Sequence, residues 1–148
     1  MIALLRVLER VHGHLGWLGV AALLHPAVLL RNPKRRAPLA VALATALVAG
    51  AGLLGGFLYP SYRTKLKQHI FATAPRVGLL FERKEHLAVG AIFLALAGCV
   101  AHLSLRAFTD GPAANAVARL AHRAFLLAFL LALVVAVFGV AVASYESF

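Results

Sequence analysis

The sequence has very little cysteine and very little acidic character. Cys99 is the only cysteine among 148 residues. This excludes an internal disulfide framework and any metal or iron–sulfur site built from several cysteines. Only 5 residues are Asp or Glu against 15 Lys or Arg, which gives a formal net charge of +10. Because the basic residues lie between apolar runs, as in loops that contact lipid headgroups, we expect no nucleic-acid partner.

Charged residues of both signs are scarce, and several catalytic motifs are missing. Only 14% of the residues are charged, whereas 62% are hydrophobic. A soluble domain of this length cannot bury so much apolar surface, so the composition indicates a membrane protein. The glycines at 50–56 lie inside an apolar run and do not form a phosphate-binding loop, and no serine stands in a nucleophile motif. Kinases and hydrolases are therefore disfavoured, and whether the protein is an enzyme stays open.

Four apolar windows are long enough to cross a membrane, which takes about 20 helical residues. Backbone groups in lipid must form hydrogen bonds within their own segment, so each window is predicted to be a helix. Short connections predict an all-α, up-down-up-down bundle of four transmembrane helices, formed by a single domain over 1–148. The windows are 11–30, 39–59, 87–106 and 120–143.

The connection between the second and third windows is the longest. Its sequence SYRTKLKQHIFATAP predicts a short amphipathic helix at the membrane interface, ended by Pro75. We call the end of the bundle that carries the N-terminal residues end A, and the opposite end, which carries 31–36, end B. Basic residues number eight at end A and seven at end B, so they do not orient the chain. The small size and the Ala-, Leu-, Val- and Arg-rich composition predict a bacterial cytoplasmic (inner) membrane.

The chain has seven histidines, and the predicted topology places them in two layers. His25 and His102 fall at similar depth inside the bilayer near end B, where an ionisable group is by default a functional hypothesis. His14 and His25 are eleven residues apart, so they return to nearly the same face of the first helix. His12 points to the opposite side of that helix. His86 lies near end A, at the start of the third window.

Two layers of histidines on a four-helix membrane bundle are similar in architecture to cytochrome-b-like proteins. A b-type haem is held by neutral imidazoles from facing helices. His25 with His102 is the predicted pair for one haem near end B, and His14 or His12 with His86 for a second haem near end A. The leading prediction is therefore a haem-b redox subunit that transfers electrons together with a quinone or a larger respiratory partner.

A different set of residues at end A predicts a metal centre. Glu9 and His12 have the spacing that places both groups on one helical face, and Glu82, Glu85 and His86 form a second cluster of acids and imidazole. Carboxylates and imidazoles from two helices are how bundles hold pairs of iron or manganese ions. The same groups suit a proton relay or contact with a quinol headgroup.

A third hypothesis needs no cofactor. Gly52 and Gly56, four residues apart on the second window, permit close approach of a neighbouring helix. Basic loops and small-residue faces of this kind suit an accessory or assembly protein that binds a larger membrane complex or forms a homo-oligomer. The colour and iron content of purified protein separate this hypothesis from the two redox hypotheses.

Overall fold

The computed structural model describes residues 2–108 and 111–145, and all regular structure within these ranges is helical. Four helices are long and one, α3, is short. A five-residue π-helical turn at Arg63–Lys67 joins α2 to α3, and a 3-10 turn at Leu105–Ala107 follows α4. The helices are α1 (Ile2–Leu29), α2 (Pro38–Tyr62), α3 (Gln68–Thr73), α4 (Pro75–Ser104) and α5 (Pro112–Tyr145).

Three of the helices begin at a proline, namely Pro38, Pro75 and Pro112. The first backbone N–H groups of a helix have no partner inside it, so the missing N–H of proline costs nothing there, and the fixed φ suits the helix. The start predicted for the second span therefore agrees with the structure. α4 begins twelve residues before the apolar window at 87, because its first three turns mix apolar side chains with charged ones but are still helical.

α2 and α3 form one continuous helical stretch over residues 38–73. Pro60 lies inside α2 and supplies no N–H, and the π-helical turn follows three residues later, as expected where the hydrogen-bond ladder is interrupted. The Thr64 hydroxyl donates to the Pro60 carbonyl oxygen at 3.1 Å. The chain reverses at Ala74, just before α4. The separate interfacial helix predicted for this segment is not confirmed, because the segment continues α2.

The four long helices occupy the corners of a square. α1 packs against α2 and α5, and α4 packs against the same two helices, so α1 and α4 lie on a diagonal. The core is built around alanine, together with Leu23, Val41 and Phe125. The Phe125 ring fills the space above Gly98 of α4, where an added Cβ would lie 2.9 Å from it. Small residues thus let the helices approach closely.

A second apolar cluster closes the bundle at end A. Tyr62 of α2 stacks on Phe81 of α4 with ring centroids 3.9 Å apart and planes 11° apart. Ile70 of α3 is fully buried in the same cluster. The Tyr145 hydroxyl of α5 donates to Thr73 Oγ1 at 2.9 Å, which ties the end of α5 to the end of α3.

Three helical stretches are long and apolar enough to cross a membrane: 38–73, 75–107 and 112–145. The protein is therefore an all-helical protein with the features of a multi-pass membrane protein, and its outward side chains suit a lipid bilayer. α1 is not among these stretches, because its apolar part carries three histidines that lower its hydropathy.

Candidate functional site

The histidines of α1 lie on opposite faces, in agreement with their spacing. His12 is half-buried, and its Nδ1 donates to the Ala51 carbonyl oxygen of α2 at 3.0 Å. His14 is exposed, and its Nδ1 donates to the Arg10 carbonyl oxygen of its own helix at 2.7 Å. A carbonyl only accepts hydrogen bonds, so each Nδ1 carries the proton and each Nε2 carries the free lone pair.

His25 is exposed and points away from the bundle. Leu23 and Ala27, two positions before and after it, are both buried. At 100° per residue, a side chain two positions from each of them lies on the opposite face of the helix. The structure therefore does not bring His25 towards His102 within one chain.

His102 is buried, with 4% of its surface exposed, and its Nδ1 has no hydrogen-bond partner. The guanidinium groups of Arg36 and Arg106 are within electrostatic reach of the imidazole. Thr45 of α2 is the other described residue whose buried side-chain polar atom has no partner. Buried polar atoms are normally satisfied, so the unpartnered Nδ1 of His102 is an exception within the core.

The imidazole rings of His86 and His122 are each fixed by a hydrogen bond to a backbone carbonyl oxygen. His86, predicted as a ligand, is exposed, and its Nδ1 donates to the Glu82 carbonyl oxygen at 2.7 Å. It lines a shallow groove with Arg83, Leu87 and Phe138. His122 of α5, which the sequence did not single out as a ligand, donates from Nδ1 to the Ala27 carbonyl oxygen of α1 at 2.9 Å. His86 is thus remote from the bundle interior, whereas His122 joins two helices.

Lys84 lies on the inner side of α4 at end A. Its ammonium lies 4.4 Å from the centroid of the Phe81 ring, and its Cδ lies 3.9 Å from the position of a Cβ at Gly139 of α5. A cation over an aromatic face is attracted by the ring quadrupole, and more strongly where water is excluded. The long stem of the lysine therefore crosses towards α5 within the end of the bundle.

Two carboxylates and an imidazole interact electrostatically with this lysine. The carboxylates of Glu85 and Glu9 are within electrostatic reach of the ammonium, and so is the His12 imidazole. We call Glu9, His12, Lys84 and Glu85 the Lys84 cluster. It joins α1 and α4, the diagonal helices, at end A, and it places groups of both charges where water is limited.

Lys84 was not among the site residues predicted from the sequence. A clue was present in the spacing, because Lys84 is eighteen residues before His102, which is five full turns. The two side chains therefore share one face of α4. Neither the rotation of that face towards the interior nor the position of Glu9 opposite it follows from spacing alone.

The residues predicted for a metal centre fall into separate places. Glu82 forms an ion pair with Lys67, with Oε1 and Nζ 2.9 Å apart. Glu9, His12 and Glu85 lie around Lys84 instead. Within residues 2–108 and 111–145, no three His, Cys, Asp or Glu side chains are grouped closely enough to hold a metal ion. Lys67 therefore supplies positive charge to Glu82, and Lys84 supplies it to Glu9 and Glu85.

No family model matches the sequence, and neither a curated protein nor a solved structure matches it significantly. A functional assignment therefore depends on the geometry of the chain itself.

Proposed function

We propose that α1 is a fourth membrane span and that the protein is a four-span bundle of the bacterial cytoplasmic membrane. α1 has 28 residues, so it is about 42 Å long, enough to cross a hydrocarbon core of about 30 Å. No charged residue occurs between Arg10 and Arg31. α1 also packs along α2 and α5, both of which contain candidate spans.

Within this bundle, the protein acts as a redox-linked subunit whose Lys84 cluster exchanges protons at end A. The observation that carries this proposal is the position of Lys84 among Glu9, Glu85 and His12, in a partly buried site between α1 and α4. Ionisable groups inside membrane bundles commonly mark proton pathways. Strongly interacting groups bind and release protons as a unit, so the cluster as a whole is the proton store.

A quinone is the redox partner that this location favours. Reduction of a quinone to a quinol takes up two electrons and two protons, so a quinone-linked subunit needs exchangeable protons close to the headgroup level. An open groove lined by Arg63, Lys67, Gln68, Phe71 and Glu82 adjoins the cluster. The Lys67–Glu82 ion pair in its wall is within electrostatic reach of Glu85. A polar ring that enters this groove can therefore reach the proton store.

The test follows the protonation of the lysine directly. Protein with ¹⁵N-labelled lysine is reconstituted into lipid nanodiscs, and the side-chain nitrogen signals are followed from pH 5 to pH 9. We expect one signal to titrate within this range and to disappear in Lys84→Met. Lys65→Met, which changes an exposed lysine at the same end, is the matched control and leaves that titration unchanged.

A second variant connects the lysine to its carboxylates. Glu85→Gln removes one negative charge from the cluster, so the midpoint of the Lys84 titration must shift. A lysine signal that is constant from pH 5 to pH 9 in all variants contradicts proton exchange. The cluster is then a fixed ion pair, and the accessory role without a cofactor becomes the better assignment.

His102 favours a second candidate function, the binding of haem b. Its buried Nδ1 lacks a partner, and Arg36 and Arg106 interact electrostatically with the imidazole, so they would be candidate partners for the propionates of a porphyrin. Haem iron accepts imidazole nitrogen as an axial ligand, and two such ligands give the spectrum of a b-type cytochrome. The burial of His102 in the bundle interior is the observation that supports this candidate.

The visible spectrum of purified, reduced protein tests this candidate. We expect sharp α and β bands that are lost in His102→Ala and kept in His69→Ala. Colourless wild-type protein that contains no iron after growth with added haem precursor contradicts haem binding.

A further inference from the structure

The two ends of the bundle differ in how much negative charge accompanies their basic side chains. At end A, Lys67 pairs with Glu82, and Lys84 interacts electrostatically with two further glutamates. Of the five acidic residues in the sequence, only Asp110 falls at end B, outside the described residues. The described part of end B has seven exposed basic side chains and no Asp or Glu. The seven are Arg31, Lys34, Arg35, Arg36, Arg106, Arg119 and Arg123.

Two of these arginines share one neighbour, the imidazole of His102. Arg36 lies just before α2 and Arg106 lies in the 3-10 turn after α4, so separate parts of the chain supply them. Both guanidinium groups interact electrostatically with His102. Ala37 and Ala101, which adjoin Arg36 and His102 in the sequence, belong to one buried cluster. Because like charges repel, an anion bound between the two arginines would stabilise this arrangement.

The start of α2 is a second feature that favours an anion. α2 has 25 residues and begins at Pro38 without a side-chain cap, so its first backbone N–H groups have no acceptor within the helix. These groups and the helix dipole attract negative charge. Arg36, two residues before Pro38, instead brings a positive charge to this positive end of the helix. A bound anion would offset the charge and accept hydrogen bonds from the free N–H groups.

The unpartnered Nδ1 of His102 is a third feature of the same kind. The side chain is only 4% exposed, and a buried polar atom without a partner is commonly explained by a bound ion or water. With its proton on Nδ1, the imidazole needs an acceptor. Arg36 and Arg106 cannot supply one, because a guanidinium group only donates hydrogen bonds. An oxyanion only accepts them, so it suits all three side chains.

We propose that end B binds the phosphate group of an anionic phospholipid, held by Arg36, Arg106 and the first N–H groups of α2. The two arginines flank the stretches 38–73 and 75–107, which are long and apolar enough to cross a membrane, so they lie at the level of the headgroups. Both are exposed, so a headgroup can reach them. A planar guanidinium group also matches phosphate oxygens with two parallel hydrogen bonds.

This inference does not rest on proton exchange or on haem binding. The Lys84 cluster lies at end A, and a phosphate group needs no redox cofactor. A haem on His102 would compete for the same arginines and would colour the protein, whereas a phospholipid leaves the visible spectrum unchanged. Failure of either proposed function therefore leaves the lipid site as it is, and the reverse also holds.

Lipid binding by the purified protein tests the site. Protein in mild detergent, freed of co-purified lipid, is titrated with phosphatidylglycerol and, separately, with phosphatidylcholine of the same acyl chains. Native mass spectrometry counts the bound lipids. We expect one phosphatidylglycerol to bind more tightly than any phosphatidylcholine. Arg36→Gln and Arg106→Gln should each weaken phosphatidylglycerol binding by at least about tenfold, because each removes charge-assisted hydrogen bonds to phosphate.

Two further variants separate a defined site from general attraction. Arg119→Gln removes an exposed arginine of α5 at the same end and is the matched control, which should bind phosphatidylglycerol like the wild type. Arg36→Lys keeps the charge but loses the planar guanidinium group, so an intermediate affinity is expected. Equal losses in all three glutamine variants overturn the proposal, because the whole basic end then attracts lipid. Equal affinity for phosphatidylcholine, or displacement of the lipid by inorganic phosphate, overturns the assignment to an anionic lipid.

Discussion

The two faces of α1 have the same repeat and opposite surroundings. The inner face also alternates between separations of four and three residues, and α2 and α5 cover most of it. The opposite face, which carries Leu4, Val7, Val11, His14, Leu18, Ala21, His25 and Val28, is exposed in the part of the chain that the structure describes. The repeat therefore identifies faces that suit packing but does not decide which of them the chain uses for its own core. The inner positions are Leu5, Glu9, His12, Gly16, Gly19, Leu23, Pro26 and Leu30.

Side-chain size separates the two faces. The inner face contains two glycines, and a Cβ added at Gly19 would lie 3.2 Å from Cγ2 of Val48 and 3.7 Å from its backbone. Among the described residues of α1, the exposed side carries one glycine, Gly13. Between helices in a membrane, packing depends on close approach of backbones, because lipid tails are as apolar as leucine. The face with the smaller residues therefore becomes the inner one.

The largest difference in stability between the two faces is expected when a leucine on each is truncated. Leu23 is fully buried, so Leu23→Ala is expected to lower the free energy of unfolding by about 2–5 kcal/mol. Leu18 is 56% exposed, and Leu18→Ala should change the stability of the monomer by less than about 0.5 kcal/mol. Titration with SDS in dilute mixed micelles measures both. Equal losses would show that α1 is rotated differently in the membrane.

An intermediate difference in stability between the two faces is expected when a glycine on each is replaced by a larger residue. Gly19→Val must displace Val48, so overpacking is expected to cost about 1–3 kcal/mol. Gly13 has no atom within 4 Å of an added Cβ, so Gly13→Val should have little effect. The midpoint of thermal unfolding in detergent compares the two variants. A lower midpoint for Gly13→Val than for Gly19→Val would reverse the assignment of the faces.

The smallest difference in stability between the two faces is expected when a histidine on each is replaced by alanine. His12→Ala loses a hydrogen bond between helices, which in membrane proteins is worth about 0.6 kcal/mol and at most about 1.7 kcal/mol. His14→Ala loses only a bond within its own helix. The ¹³C chemical shift of the Ala51 carbonyl should move in the first variant and not in the second. A change of this chemical shift in both variants, or in neither, would show that His12 does not bond the Ala51 carbonyl oxygen.

The helical class and the start of α2 at Pro38 could be predicted from the sequence, since apolar runs and a proline at the first helical position carry strong local signals. The lengths of α1 and α4 could not, because an apolar window marks only the part of a helix that suits lipid. The continuation of α2 through 63–73 was also missed. An amphipathic pattern looks the same in a separate surface helix and in an extension of another helix.

The candidate site was predicted only in part. Glu9, His12, Glu82, Glu85 and His86 were predicted as a metal centre at end A, and three of them, Glu9, His12 and Glu85, interact electrostatically with Lys84 instead. The lysine itself was missed because a lysine next to two glutamates usually lies in solvent. Spacing placed His14 and His25 on one face correctly, but both faces of α1 are apolar, so periodicity could not tell which one is inside.

The helical stretch over 38–73 has a mechanical consequence. Its 36 residues extend about 54 Å, whereas the hydrocarbon core is about 30 Å thick, so the segment near Thr73 stands well outside the apolar layer. This segment packs against its neighbours, because Ile70 of α3 is fully buried in a cluster with Phe81 of α4 and Val142 of α5. Since the Tyr145 hydroxyl also bonds Thr73 at the tip, a partner protein that binds the end of this arm would meet α3 and α5 together rather than one isolated helix.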